Sequence, residues 1–215
     1  MKIGVGVITY NRPKHLELWL KQYALYKSDS MSLYIADDNK DRRGIAYRTN
    51  EVINHFKDCD HIFIFNDDCF PIKKGWENIY IDTGLNHLLY FRESSDIEKI
   101  KSEDSVDYFT NCGGCLVYIT KDVIEKVGYL NKDYSFYGYE HAGYSLRIHK
   151  AGLIPHPYLV PTMAGDYIYS LDYDNYVNWE LEHKPSINIS DVSKCIVANK
   201  NVFLQDIKTI YQPND

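Results

Sequence analysis

The chain has 215 residues, 45% of them hydrophobic, enough to bury a substantial core in one α/β domain running 1–215. A formal charge of −6 and a pI near 5.7 argue against broad binding along a nucleic-acid backbone and leave room only for a local basic patch. No apolar run approaches the roughly 20 residues that span a bilayer, so stable membrane insertion is not expected.

The first apolar stretch, 2–9, reads as a buried strand. It leads into Tyr10-Asn11-Arg12-Pro13 and not into a small-residue cleavage site, which points to a soluble cytoplasmic protein. Pro13 at a first helical turn, followed by Leu16, Leu18, Leu20 and Tyr23, predicts a helix to about Tyr26. A second strand at 32–36 ends in Asp37-Asp38-Asn39, and a helix over 44–56 buries Ile45, Val52, Ile53 and Phe56. The third strand, 61–65, stops at Asn66-Asp67-Asp68. Alternating strands and helices imply a mainly parallel central sheet flanked by helices. Ligands gather at the carboxyl ends of such strands, which makes the segments 9–12, 37–39 and 66–68 neighbours.

A fourth strand, 116–119, follows Cys112-Gly113-Gly114-Cys115. A redox CxxC sits at a helix N-terminus and a zinc site needs two further ligands, so these read as ordinary core or loop cysteines. The odd total of five cysteines fits a reducing compartment better than a disulfide framework. Helices are expected at 121–127, closed by Gly128, and at 139–151, closed by Gly152. Beyond lie Pro155, Pro157, Pro161 and a Tyr/Asp-rich stretch to Tyr176, read as loops and an irregular C-terminal wrap without a linker or repeat. Twenty tyrosines suit a sugar-binding surface, because each ring offers a flat apolar face and a hydroxyl. An AT-rich genome explains them equally well.

Asp67 and Asp68 have two readings. They are a loop-capping pair, since Asp is common where strands end, or they hold a divalent cation whose other positions are filled by phosphate oxygens and water. A buried apolar strand before them and the turn Lys73-Lys74-Gly75-Trp76 after them favour the cation.

At this point the residues reach a family. Ile8-Thr9-Tyr10-Asn11-Arg12-Pro13, Asp37-Asp38-Asn39, Gly44 through Asn50, Asn66-Asp67-Asp68 and Asn111 through Cys115 together resemble family 2 type, GT-A fold glycosyltransferases. The likeness runs from Lys2 to about Leu153. It implies a nucleotide-sugar-binding half at about 1–110, an acceptor half at about 111–160 and a C-terminal extension at about 161–215. By that resemblance Thr9, Tyr10, Asn11, Arg12, Asp37, Asp38, Arg48, Asn66 and Asp67 would hold the nucleoside-diphosphate sugar. Asp68, with Asp67, would bind Mn²⁺ or Mg²⁺, and Gly113, Gly114, Tyr137 and Tyr139 would face a glycan or polymer acceptor. His156 is a candidate further metal ligand, ahead of His149 and His183.

The resemblance also implies an acid pair where this chain has Glu140-His141. Three readings stand open: His141 as base, Glu140 as base, or His141 as a metal ligand on a retaining path. Glu140 as a helix-capping carboxylate is the structural alternative. The implied activity is transfer of a sugar, most naturally from a UDP-sugar, to an acceptor hydroxyl. Rival readings are a sugar nucleotidyltransferase, a binding module that has lost its base, and a virus- or phage-type transferase acting on capsid glycans or modified DNA in a host cytoplasm. A nucleotidyltransferase would need a glycine-rich phosphate loop after strand one, whereas Gly4 and Gly6 lie inside the strand.

Overall fold

The computed structural model describes residues 1–91, 96–171 and 189–208; His183 and residues 172–176 lie outside them. The chain begins β1 (Ile3–Thr9), α1 (Pro13–Tyr26), β2 (Met31–Asp37), α2 (Ile45–His55), β3 (His61–Asn66). It continues β4 (Cys69–Pro71), α3 (Asn78–Ile81), β5 (His87–Tyr90), the hairpin β6 (Lys99–Glu103) and β7 (Val106–Phe109), then β8 (Leu116–Thr120). The rest is α4 (Lys121–Val127), α5 (Glu140–Lys150), β9 (Leu159–Pro161), α6 (Ala164–Tyr167), β10 (Ile168–Ser170) and α7 (Ile189–Asp206).

The central sheet has the order β2-β1-β3-β8-β5. β1 pairs in parallel with both β2 and β3, while β8 runs antiparallel between β3 and β5. Four of the five strands therefore point the same way, the mainly parallel sheet that the alternation implies. Every residue of β1 is buried, as a central strand covered on both faces requires. The pairings Thr9 with Asp37 and Ile8 with Asn66 bring the carboxyl ends of three strands level, which sets up the site.

Helix α2 lies directly on β1. A Cβ at Gly4 would meet Phe56 at 2.4 Å and one at Gly6 would meet Val52 at 2.3 Å, so these glycines serve helix–strand packing. On α1 the buried face is His15, Trp19 and Tyr23, spaced by four, with the leucines only partly covered. Trp19 anchors this helix by donating from Nε1 to the Cys69 carbonyl at 2.8 Å. Trp76, fully buried, packs edge-on against Phe63 and Phe65 with ring centroids 4.8 and 5.3 Å apart. Burying an aromatic of this size removes about 150–250 Å² from water, about 4–6 kcal/mol of transfer free energy.

Helix α5 is fastened to the sheet through a buried polar link. His87 of β5 contacts the Tyr118 carbonyl through Nδ1 and the Ser145 hydroxyl through Nε2, each at 2.8 Å. Burial lowers this imidazole to about 4, so it is neutral at pH 7. Arg147 donates to the carbonyls of Tyr129 and Val127 at 3.0 and 2.9 Å. These bonds fix the helix whose first residue is Glu140. Beyond residue 152, where the sequence pattern reads as loops, the chain forms β9, α6, β10 and α7. The first three are only three or four residues long, too short for periodicity to register.

All five cysteines are free thiols. Burial holds the Cys112 thiol above its ordinary value, the opposite of a redox-active cysteine. No helix among the described residues is long and apolar enough to cross a membrane.

Candidate active site

The carboxyl ends of β1 and β3 meet at the acid pair. Asp67 and Asp68 are both buried, 4% and 6% exposed, and burial of a carboxylate is costly unless it is partnered. The Thr9 hydroxyl donates to Asp67 Oδ2 at 2.7 Å. Arg12 Nη1 bridges the two acids, 3.2 Å from Asp67 Oδ1 and 2.7 Å from Asp68 Oδ2. Asp68 Oδ1 is buried with no hydrogen-bond partner. Burial and then the charge of Asp68 raise the Asp67 carboxyl above its ordinary value, against Arg12 and the Thr9 hydroxyl. Burial also opposes the Arg12 charge, but Asp68 and Asp67 outweigh it and hold the guanidinium protonated.

With both acids ionised, two carboxylates face one guanidinium, and one oxygen, Asp68 Oδ1, is left over. Adjacent hard oxygen donors of this kind suit Mg²⁺ or Mn²⁺. Among the described residues no group of three or more His, Cys, Asp or Glu side chains converges on a metal position. A cation here would thus take its remaining ligands from water and a bound phosphate. His156 packs with Tyr108 and Tyr158 at ring-centroid distances of 5.5 and 6.0 Å, and the Tyr158 amide donates to its Nδ1 at 3.2 Å. His149 lies beside it, contacting the Ile154 carbonyl at 3.0 Å.

The end of β2 is tied to the same corner. The Asn11 amide, in a left-handed turn with φ 52°, donates to Asn39 Oδ1 at 2.8 Å. Asp37 is exposed and accepts from the Asn39 amide at 2.9 Å. Asp38 is buried and fully used: the Arg43 amide at 2.8 Å, the Gly44 amide at 3.1 Å and Arg48 Nε at 2.8 Å all donate to it. Arg48 also engages Asp41 and Glu51. Asp38 and Arg48 therefore shape the loop that starts α2, whereas Asp37 faces outward. Arg42 stacks over the rings of Tyr10 and Phe136, 4.9 and 4.7 Å from their centroids, joining the β1 loop to the segment before α5.

Asn66 carries the site across to the second half. Its Nδ2 donates to the Gly114 carbonyl at 2.7 Å. Gly114 in turn lies against His141: a Cβ there would fall 1.8 Å from His141 Cδ2. A contact this close is possible only without a side chain. His141 is buried with both ring nitrogens unpartnered, and burial lowers it to about 4. Glu140 is 3% exposed and is pushed up to about 7 by burial, opposed by its own backbone amide and that of Gly138. Its Oε2 has no partner. The 3.8 Å approach of His141 Nε2 to Glu140 Oε1 is an ion pair only if the ring is protonated, and so deeply buried a ring is neutral at pH 7.

Tyr139 holds the turn before α5 with φ 70° and packs on Phe203 of α7, centroids 5.2 Å apart. Tyr137 is half exposed, and Gly113 lies against Phe91. Asn199 and His87 are absent from the sequence reading. Both are polar residues at buried positions, where apolar periodicity is silent.

No family model and no curated protein matches the sequence. Solved structures do resemble the fold. The catalytic domain of Drosophila beta1,4galactosyltransferase 7, in complex with xylobiose, superposes with a TM-score of 0.53 at 16% identity, over 90% of this chain and 79% of that one. Mannosyltransferase PcManGT from Pyrobaculum calidifontis, in complex with GDP-Man and Mn²⁺, gives 0.54 at 12%, over 97% and 72%. The 1–349 fragment of S. aureus TarS gives 0.56 at 13%, over 96% of this chain and 71% of the fragment.

Proposed function

We propose, on the premise of the GT-A fold shared with these proteins, that the chain is a metal-dependent glycosyltransferase. It would move a sugar from a nucleoside-diphosphate donor, a UDP-sugar by preference, to an acceptor hydroxyl on a glycan or other polymer. The observation that carries this reading is one unbroken run of contacts. Arg12 and Thr9 hold Asp67 and Asp68, Asn66 beside them holds Gly114, and Gly114 holds His141 next to Glu140. A partly satisfied acid pair stands at one end and a carboxyl raised to about 7 at the other.

In this reading Asp68, with Asp67, would hold Mn²⁺ or Mg²⁺. When bound there the cation would offset the charge that develops on the diphosphate leaving group. Exposed Asp37 and the ring of Tyr10 border the nucleotide. Glu140 is the base of choice: its value near neutrality suits proton removal from an acceptor hydroxyl, and Oε2 is uncommitted. His141 remains a neutral wall against Gly114.

The test is a thermal-shift series with UDP-, GDP- and dTDP-sugars, with and without Mn²⁺, on the native chain and on Asp68→Ala. Metal-dependent stabilisation of the native chain by one donor class, lost in the variant, is expected. No stabilisation by any nucleotide, or equal stabilisation of the variant, would sink the proposal.

A further inference from the structure

The contacts of α7 point to a positioning role outside the residues assigned so far. Asn199 is fully buried on this helix, and its three side-chain hydrogen bonds among the described residues go to the backbone of the segment that leads into α5. The Ser135 amide donates to Asn199 Oδ1 at 2.7 Å, and Nδ2 donates to the carbonyls of Tyr137 and Gly138 at 3.0 and 2.9 Å. The same helix also carries Asp206, which accepts from the Tyr134 hydroxyl at 3.0 Å and lies against Gly143 of α5.

One peptide plane makes these bonds matter. The carbonyl of Tyr137 and the amide of Gly138 belong to a single planar unit and point in opposite directions. Asn199 holds the carbonyl end, and the Gly138 amide at the opposite end acts to lower the Glu140 carboxyl. The next carbonyl, of Gly138, is held by the same Asn199 nitrogen. The turn needs such a grip: Gly138 and Tyr139 follow one another at φ 104° and 70°, and left-handed backbone at a non-glycine residue costs about 1–2 kcal/mol.

We infer that Asn199 is a positioning residue: by fixing the Tyr137–Gly138 peptide it aims a backbone N–H at the Glu140 carboxylate and so sets the orientation of that group. The inference deepens the proposed function, in which Glu140 takes the acceptor proton, but its geometry does not depend on that chemistry. The groups around Glu140 are His141 on its own helix, Cys112 from the Gly113 loop and Tyr134, with Asp206 and Arg147 acting on Tyr134 from behind. Among the described residues Asn199 hydrogen-bonds to none of these groups, so its removal should reach Glu140 through the peptide.

The experiment follows the Glu140 carboxyl carbon by NMR in protein labelled with carboxyl-¹³C glutamate, its resonance assigned by loss in Glu140→Gln. In Asn199→Ala the Glu140 midpoint is expected to rise by roughly one pH unit, the worth of one backbone N–H bond to a carboxylate. The other glutamates should titrate as before. An unmoved Glu140 midpoint in a folded Asn199→Ala protein overturns the inference, whatever its melting temperature. If that variant does not fold by circular dichroism, Asn199→Ser serves on the same terms. Nucleotide-sugar turnover by the native chain is measured alongside. Its absence would remove the transferase reading and leave the Asn199–Glu140 link standing or falling on the titration alone.

Discussion

Replacing Gly114 by alanine puts the junction between the two halves of the site under direct strain. Gly114 does not have a positive φ, so alanine meets no backbone penalty and the whole cost is steric. The added methyl would lie 1.8 Å from His141 Cδ2 and 2.5 Å from Nε2, where ordinary contact is about 3.5–4.0 Å. The ring or the strand end must move by more than an ångström inside a packed core, a change that costs about 1–3 kcal/mol. For a chain of this length that corresponds to a melting temperature lower by about 2–12 °C. His141→Ala alone leaves a cavity but removes the clash. The double variant should therefore be more stable than the sum of the two single effects by at least about 1 kcal/mol. Urea denaturation of all four proteins supplies the cycle. Additivity within about 0.5 kcal/mol, or a Gly114→Ala protein as stable as the native one, would refute the contact and with it the bridge from Asn66 to α5.

Other perturbations test the two ends of the site. Arg12→Gln leaves Asp67 and Asp68 without their counter-charge and should cost about 3 kcal/mol at pH 8. Millimolar Mn²⁺ should restore more of the melting temperature in this variant than it adds to the native chain, and equal shifts in both would contradict that. Asp68→Ala should abolish the Mn²⁺ shift, which in the native chain at a hundredfold excess over Kd amounts to about 2.7 kcal/mol; titration calorimetry with Mn²⁺ alone checks it. For Glu140 the folded value is raised to about 7 from 4.5. The folded state thus keeps a proton that the unfolded chain releases, and stability falls as pH rises between those values. Glu140→Gln removes this slope, so native stability relative to the variant should drop by about 3 kcal/mol from pH 4.5 to 7.5. Denaturation at several pH values measures it, and a constant difference would show that the carboxyl titrates normally. His141 and His87 oppose this trend, since burial lowers both to about 4, but their contribution cancels in the comparison.

Much of the frame is legible locally. β1 and β3 are apolar runs and α2 carries a clear buried side at Val52, Ile53 and Phe56. Pro13 and Gly128 mark helix ends where the structure has them. The hairpin of β6 and β7 left no such trace: every residue of β6 is exposed, so there is no alternation to read, and its turn is made by Asp104 and Ser105 in left-handed conformations. β5 has only four residues and is buried throughout. α7 is illegible for a different reason: what docks it on the segment before α5 includes Asn199 and Asp206, and a polar residue signals burial only once its partners are known.

The sequence by itself determined the kinds of chemistry present: carboxylates side by side at a strand end, a glycine pair before a strand, a glutamate at the first turn of a helix. These follow from neighbouring residues and from the periods of strand and helix. Tertiary structure alone decided that Arg12 bridges both acids, that Asp38 and Arg48 meet at the loop before α2 while Asp37 faces outward, that Gly114 receives an imidazole, and that Asn199 holds the backbone leading into α5. Each of the Arg12, Gly114 and Asn199 contacts joins segments separated in sequence, by 56 residues for Arg12 and Asp68, 48 for Asn66 and Gly114 and 62 for Asn199 and Tyr137. Hydrogen bonds and steric contact act over a few ångströms, so over such separations only the folded chain can say which groups meet.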